Sequence, residues 1–173
     1  MAGNETVTNL IGNAVSALLD HPEHLRWIIE NPAERTPMLV EEALRYDSPI
    51  QFVFRRAKRA ADIAGHTIPS NAMVLALVGS ANRDERQFDR AHEFDPRRNA
   101  QGHLSFGSGP HFCLGASLAR MEALIALEAL VPELPFFERH AGELHFVDSY
   151  LVRGLRSLRL RPVAASPGPI PAD

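Results

Sequence analysis

The chain has 173 residues, enough for one compact domain with a real core, and its 45% hydrophobic and 23% charged residues are those of an ordinary soluble globular protein. A net charge of −3 gives no electrostatic case for nucleic acid or an anionic membrane, and no apolar run approaches the roughly 20 residues of a membrane span. One cysteine excludes an internal disulfide, and the N-terminus lacks the basic start, apolar stretch and cleavage site of a secretory signal; both point to a cytoplasmic chain.

In chain order, Val7, Leu10, Ile11, Val15, Leu18 and Leu19 have helical spacing. The run begins abruptly with no N-cap, so the chain is expected to enter in mid-helix. A second helix is predicted from Pro22 to just before Pro32. A third starts with Thr36 as cap and Pro37 in the first position and runs to Tyr46; Pro49 then forces an extended chain. Strand signals follow at residues 51–54, 62–63 and 73–78, with turns at Gly65 and at Pro69-Ser70-Asn71. Residues 80–98 read as a polar loop with room for a short helix, and 100–110 as a Gly-rich loop. The strongest helix pattern runs from Leu114 to Leu130, with Leu114, Leu118, Met121, Leu124, Ile125 and Leu127 as its apolar side. Short strands are predicted at 144–147 and 155–160. Residues 163–173, rich in Pro, Ala and Gly, read as a disordered tail. The fold class is mainly α with small β-sheets.

The chemistry concentrates on Cys113, in Phe106-Gly107-Ser108-Gly109-Pro110-His111-Phe112-Cys113-Leu114-Gly115. A lone cysteine is usually a small buried hydrophobe. Here three glycines permit turns that a side chain would forbid, and a helix begins just beyond. Backbone N–H groups and a helix N-terminus lower a thiol's pKa and favour the thiolate that ligates a metal. A cysteine hydrolase is a weak rival, because His111 two residues earlier in a loop has no reason to adopt a base geometry.

The run Phe-Gly-x-Gly-x-His-x-Cys-x-Gly resembles the haem-binding loop of cytochrome P450. The resemblance implies that Cys113 is the axial ligand of the iron of haem b, a thiolate whose electron donation favours O–O cleavage. It implies that Phe106 packs by the proximal side of the haem, that Gly107, Gly109 and Gly115 shape the loop, and that His111 meets a haem propionate. His103, in His103-Leu104-Ser105-Phe106, is similar to the family's His-Leu-x-Phe-Gly and is expected at the porphyrin edge.

Three further runs fit the same family in order. Glu42-Ala43-Leu44-Arg45 puts a carboxylate and a guanidinium one turn apart, and resembles the buried Glu-x-x-Arg pair that organises the haem-side core; these two are read as structural. The family completes that pair with an arginine just before a phenylalanine. Phe94 matches, but Glu93 stands in the arginine's place. Ala2-Gly3-Asn4-Glu5-Thr6 resembles the oxygen-binding kink of the I helix, which would give Thr6 the role of steadying dioxygen and Glu5 that of feeding protons. In Phe54-Arg55-Arg56-Ala57 a strand arginine would pair with a haem propionate, since its planar fork matches a carboxylate. Arg55 fits best and Arg56 is the runner-up; strand alternation lets only one face the haem.

The resemblance covers residues 2–162 and implies the C-terminal part of a P450 fold, in a truncated chain. The implied reaction inserts one oxygen atom of O₂ into a small organic substrate. Electrons would come from NAD(P)H through a ferredoxin and its reductase. Tyr46-Asp47-Ser48-Pro49-Ile50-Gln51 looks bacterial, close to enzymes that tailor secondary metabolites. Two alternatives stay open: a non-catalytic remnant, and a haem-binding module that works with a second chain.

Overall fold

The computed structural model describes residues 3–163, so residues 164–173 of the expected tail, and Ala2 of the Ala2-Gly3 pair, lie outside the described residues, while Val163 is tied by its amide to the Phe136 carbonyl at 2.9 Å. Helix α1 (Asn4–Asp20) carries the buried stripe Val7, Leu10, Ala14 and Leu18, spaced to fall on one face. It ends at His21, and Pro22 opens α2 (Pro22–Glu30). Helix α3 (Pro32–Tyr46) follows at once.

Here the sequence expectation is corrected. α3 starts at Pro32, not at Thr36-Pro37, and Pro37 lies inside it. Thr36 caps nothing; its hydroxyl oxygen is buried without a hydrogen-bond partner. The additional turn is held by its own first backbone bond and by contacts with α2. The Arg35 amide donates to the Asn31 carbonyl at 3.0 Å. The Arg35 guanidinium donates to the Trp27 carbonyl, bonds Glu30 and lies 4.6 Å over the Trp27 ring. These contacts outweigh the one hydrogen bond that Pro37 forfeits.

Two antiparallel pairs come next. β1 (Val53–Arg56) pairs with β4 (Met73–Ala76), placing Arg55 opposite Val74, and β2 (Ala61–Ile63) pairs with β3 (His66–Ile68). The turn between β2 and β3 uses Ala64 and Gly65, both at positive φ. The strand predicted to reach Val78 stops at Ala76, and α4 (Val78–Ala81) begins there. A long loop leads to α5 (Ala116–Leu130).

The C-terminal strands are also corrected. Residues 144–147 and 155–160 share only a bridge between Phe146 and Leu155. The actual pair is β5 (Phe137–Arg139) with β6 (Leu160–Pro162). Leu158 and Leu160 are drawn off to pack against the helical core.

That core is formed where α1, α2, α3 and α5 meet, around Leu10, Leu18, Ile28, Leu39, Leu127 and Val131. α5 faces it with Ala123 and Leu127, while Leu118, Met121 and Ile125 are exposed. The predicted single apolar side is thus two stripes, and the helix buries one of them. No described helix is long and apolar enough to cross a membrane.

Candidate functional site

The second half of α3 organises the site from beneath. Glu42 and Arg45 are fully buried and paired through two bonds, Nε to Oε2 at 2.7 Å and Nη2 to Oε1 at 2.8 Å. A buried ion pair is tolerable only when its remaining donors and acceptors are met, and here they are. Arg45 donates to the carbonyls of Asn82, Ala91 and Glu93. Glu42 Oε1 accepts from the Asp95 amide at 2.8 Å and from Arg98 Nε at 3.1 Å. The pair therefore fixes the loop of residues 82–98.

Arg98 is the residue that sequence reasoning missed. Glu93 contributes its carbonyl, and its carboxylate faces Arg90 instead. The loop folds back through Arg90, at φ 47°, and the Arg98 guanidinium donates to the carbonyls of Asp89, Arg90 and Glu93. The available signal was Pro96-Arg97-Arg98 directly after Phe94-Asp95. Which arginine turns inward depends on the loop's path, which no local pattern reveals.

Above this base lies the cysteine loop. Gly107 and Gly109 take φ of 73° and 66°, where a side chain is strained. Gly109–His111 forms one 3-10 turn. The Cys113 amide donates to the Phe106 carbonyl at 2.8 Å, closing the loop between residues 106 and 113. Cys113 is exposed and ends three residues before α5 begins.

Glu41 clamps the loop from α3. It accepts from Arg120 Nε at 2.6 Å and Arg120 Nη2 at 3.0 Å, and it bonds His103 Nε2 at 3.1 Å. The Arg120 guanidinium lies 4.5 Å over the Phe106 ring, and the His103 ring is 5.9 Å from it. Burial pushes the Glu41 carboxyl up, but bonds from His103 and Arg120, with their charge, outweigh it and hold it at about 2. His103 is thus placed in a side-chain network behind Phe106.

A cavity of about 500 Å³ opens over the loop. Thr6, Arg55, Phe106, Gly107, His111, Cys113 and Gly115 all line it, with Val7, Leu10, Ile50 and Val53 among its apolar walls. α1 supplies one wall, β1 another, and the cysteine loop the floor. Three expected contributors do not line it: Glu5 is exposed on α1, His103 is held by Glu41, and Arg56 is exposed on β1.

The family model for cytochrome P450 matches residues 1–147. The chain belongs to the cytochrome P450 family. It is 48% identical over 158 residues to the biotin biosynthesis cytochrome P450 of Bacillus subtilis, covering 91% of this chain and 40% of that protein. Against 6-deoxyerythronolide B hydroxylase of Saccharopolyspora erythraea it is 40% identical over 163 residues, 93% of this chain and 40% of the other. The crystal structure of the P450 CYP109B1 from Bacillus subtilis superposes with a TM-score of 0.87 at 47% identity, covering 92% of this chain and 43% of that one. The chain therefore spans about 40% of the length of the curated P450 relatives it matches, and its fold is that part of the P450 fold.

P450 membership implies a haem cofactor. The residues present fit that group. One sulfur donor is exposed on a glycine-shaped floor, apolar walls suit a flat macrocycle, and Arg55 and His111 line the cavity as nitrogen donors of the kind a carboxylate accepts from.

Proposed function

We propose that this chain provides the haem-thiolate side of a P450 monooxygenase. The enzyme inserts one oxygen atom of O₂ into a C–H bond of a small organic substrate, a bacterial secondary metabolite, in the cytoplasm. The other atom leaves as water, formed with two protons from solvent and two electrons that NAD(P)H supplies through a ferredoxin and its reductase. The observation that carries this reading is the convergence of Thr6, Arg55, His111 and Cys113 on one apolar cavity.

Haem bound there supplies the oxidising chemistry; the chain supplies its binding, orientation and proton traffic. Cys113 gives the sulfur ligand, and the Phe106 carbonyl, held by the Cys113 amide, keeps the loop in register. Arg55 and His111 bind the anionic edge of the cofactor as charge-assisted donors. Thr6 lines the cavity from α1, where its hydroxyl would hand on protons that Glu5 beside it would carry in from solvent. Leu10, Ile50 and Val53 exclude water and favour an apolar substrate.

A second reading, a haem-binding module completed by further polypeptide, is favoured by Met121 and Ile125 on α5, which are exposed and lie outside the cavity lining. One experiment separates the cases. The chain is reconstituted with haemin, reduced and exposed to carbon monoxide. A Soret band at the thiolate position that disappears in Cys113→Ala supports haem-thiolate ligation. Turnover with a ferredoxin and its reductase distinguishes an enzyme from a module. No haem uptake identifies a remnant and overturns the proposal.

A further inference from the structure

Away from the cavity, where α1 gives way to α2, His21, Glu23 and His24 bring three ligand atoms within 4.8 Å of one another. His21 Nδ1 is 3.5 Å from Glu23 Oε1, and His24 Nε2 is 3.7 Å from the same oxygen. We propose that these three side chains form a binding site for a divalent transition-metal ion, of which Zn²⁺ is the best match, with water completing the coordination.

The chemistry fits on three counts. Two imidazoles and one carboxylate are a donor set that Zn²⁺ takes at about 2.0–2.2 Å per bond, which places ligand atoms on one ion at separations of the kind seen here. The two rings are positioned in advance. His21 lies 5.5 Å and His24 5.9 Å from the Phe94 ring, and Pro22 fixes the backbone between the helices. The charge is suitable as well. Glu23 is an acid, and Asp95 is near enough to exert a Coulombic pull on the His24 ring. Glu23 is half exposed and His21 one-third exposed, so an ion can enter, while His24 anchors the site from its buried side.

One contact opposes binding and makes the inference specific. Arg97 Nη1 is 3.5 Å from His24 Nδ1, on the side of the ring away from Glu23. A ligating imidazole carries its proton on the other nitrogen and needs an acceptor there. Arg97 offers a donor and a positive charge. It must release His24 when the metal binds, and its stack on Trp27, 5.0 Å from the ring centre, gives it another place to rest.

The test uses the full chain carrying Cys113→Ser, so that the exposed thiol cannot hold the metal, and follows Zn²⁺ binding by calorimetry. Co²⁺ serves as a visible stand-in whose absorption reports geometry. The expected result is one-to-one binding that weakens at least tenfold in His21→Ala and in Glu23→Gln. Both side chains are exposed enough that the fold survives. Arg97→Gln should tighten binding several-fold, an effect that a chance histidine elsewhere on the surface cannot produce. Absence of one-to-one binding, or binding unchanged in His21→Ala and Glu23→Gln, overturns the proposal.

Discussion

Arg45 and Glu42 spend two charges in a place with no water, and every one of their described partners is main chain or another charge. Removing one partner of such a pair leaves the other buried and uncompensated, which costs about 3–5 kcal/mol. Arg45→Ala should therefore lower the unfolding free energy measured in urea by that much, and Arg45→Lys should restore little, because an ammonium cannot reproduce the fork that meets four groups. Arg98→Ala should cost less, about 1.5–3 kcal/mol, for one charged hydrogen-bond partner. Glu41 adds a pH signature. Its folded-state pKa, about 2, lies below its ordinary value of 4.5, so its contribution is complete above 4.5 and drains away as pH falls toward 2. In Glu41→Gln that acid limb should flatten, and stability at neutral pH should fall by about 2 kcal/mol; parallel acid titrations followed by circular dichroism read both. Glu42-x-x-Arg45 was legible as a pair from its spacing. Arg98 was not, because its approach is set by a loop that reverses at Arg90.

At the scale of elements, α5 is the instructive case. Its periodicity marked Leu118, Met121, Ile125 and Leu127 as equally apolar, and a sequence pattern has no means of saying which stripe another helix will cover. The fold buries Leu127 completely and leaves Leu118 half exposed. Leu127→Ala should cost about 2–5 kcal/mol through the cavity it leaves, whereas Leu118→Ala should stay within about 0.5 kcal/mol in this chain. Thermal unfolding of the two variants checks the orientation of the helix. α3 teaches the reverse lesson. Its Thr-Pro pair has the local grammar of a helix start, but contacts made by Arg35 with Trp27 and Glu30 extend the helix by a turn. Tertiary contacts of this kind override a local signal whenever their sum exceeds one lost backbone bond.

At the scale of the whole molecule, α1 is tied to the far end of the chain. Asn13 donates to the carbonyls of Asp47 and Arg153, the latter 140 residues away. A Cβ built on Gly154 would lie 2.1 Å from Asn9 Oδ1 and 2.7 Å from Asn9 Cβ. Gly154→Ala must displace a buried side chain and should cost about 1–3 kcal/mol. Because the damage is local, hydrogen exchange should accelerate first around residues 147–156 and along the first half of α1. The same long-range closure builds the cavity, since Thr6, Arg55 and Cys113 meet only when α1, β1 and the cysteine loop pack together.

The sequence by itself determined the family, the cysteine loop and the facing of Glu42 and Arg45, whose burial only the resemblance implied. These depend on residue type at short, fixed spacing, and such spacing survives in one dimension. It also placed α1, α2 and the body of α5, because a helix writes its period into the chain. Only the tertiary structure decided that Arg98 completes the buried pair, that His103 serves Glu41 behind Phe106, that Arg55 rather than Arg56 lines the cavity, and that α5 keeps an apolar stripe uncovered. Each of those outcomes is a competition between partners distant in sequence, and the winner is set by packing geometry that no local pattern contains.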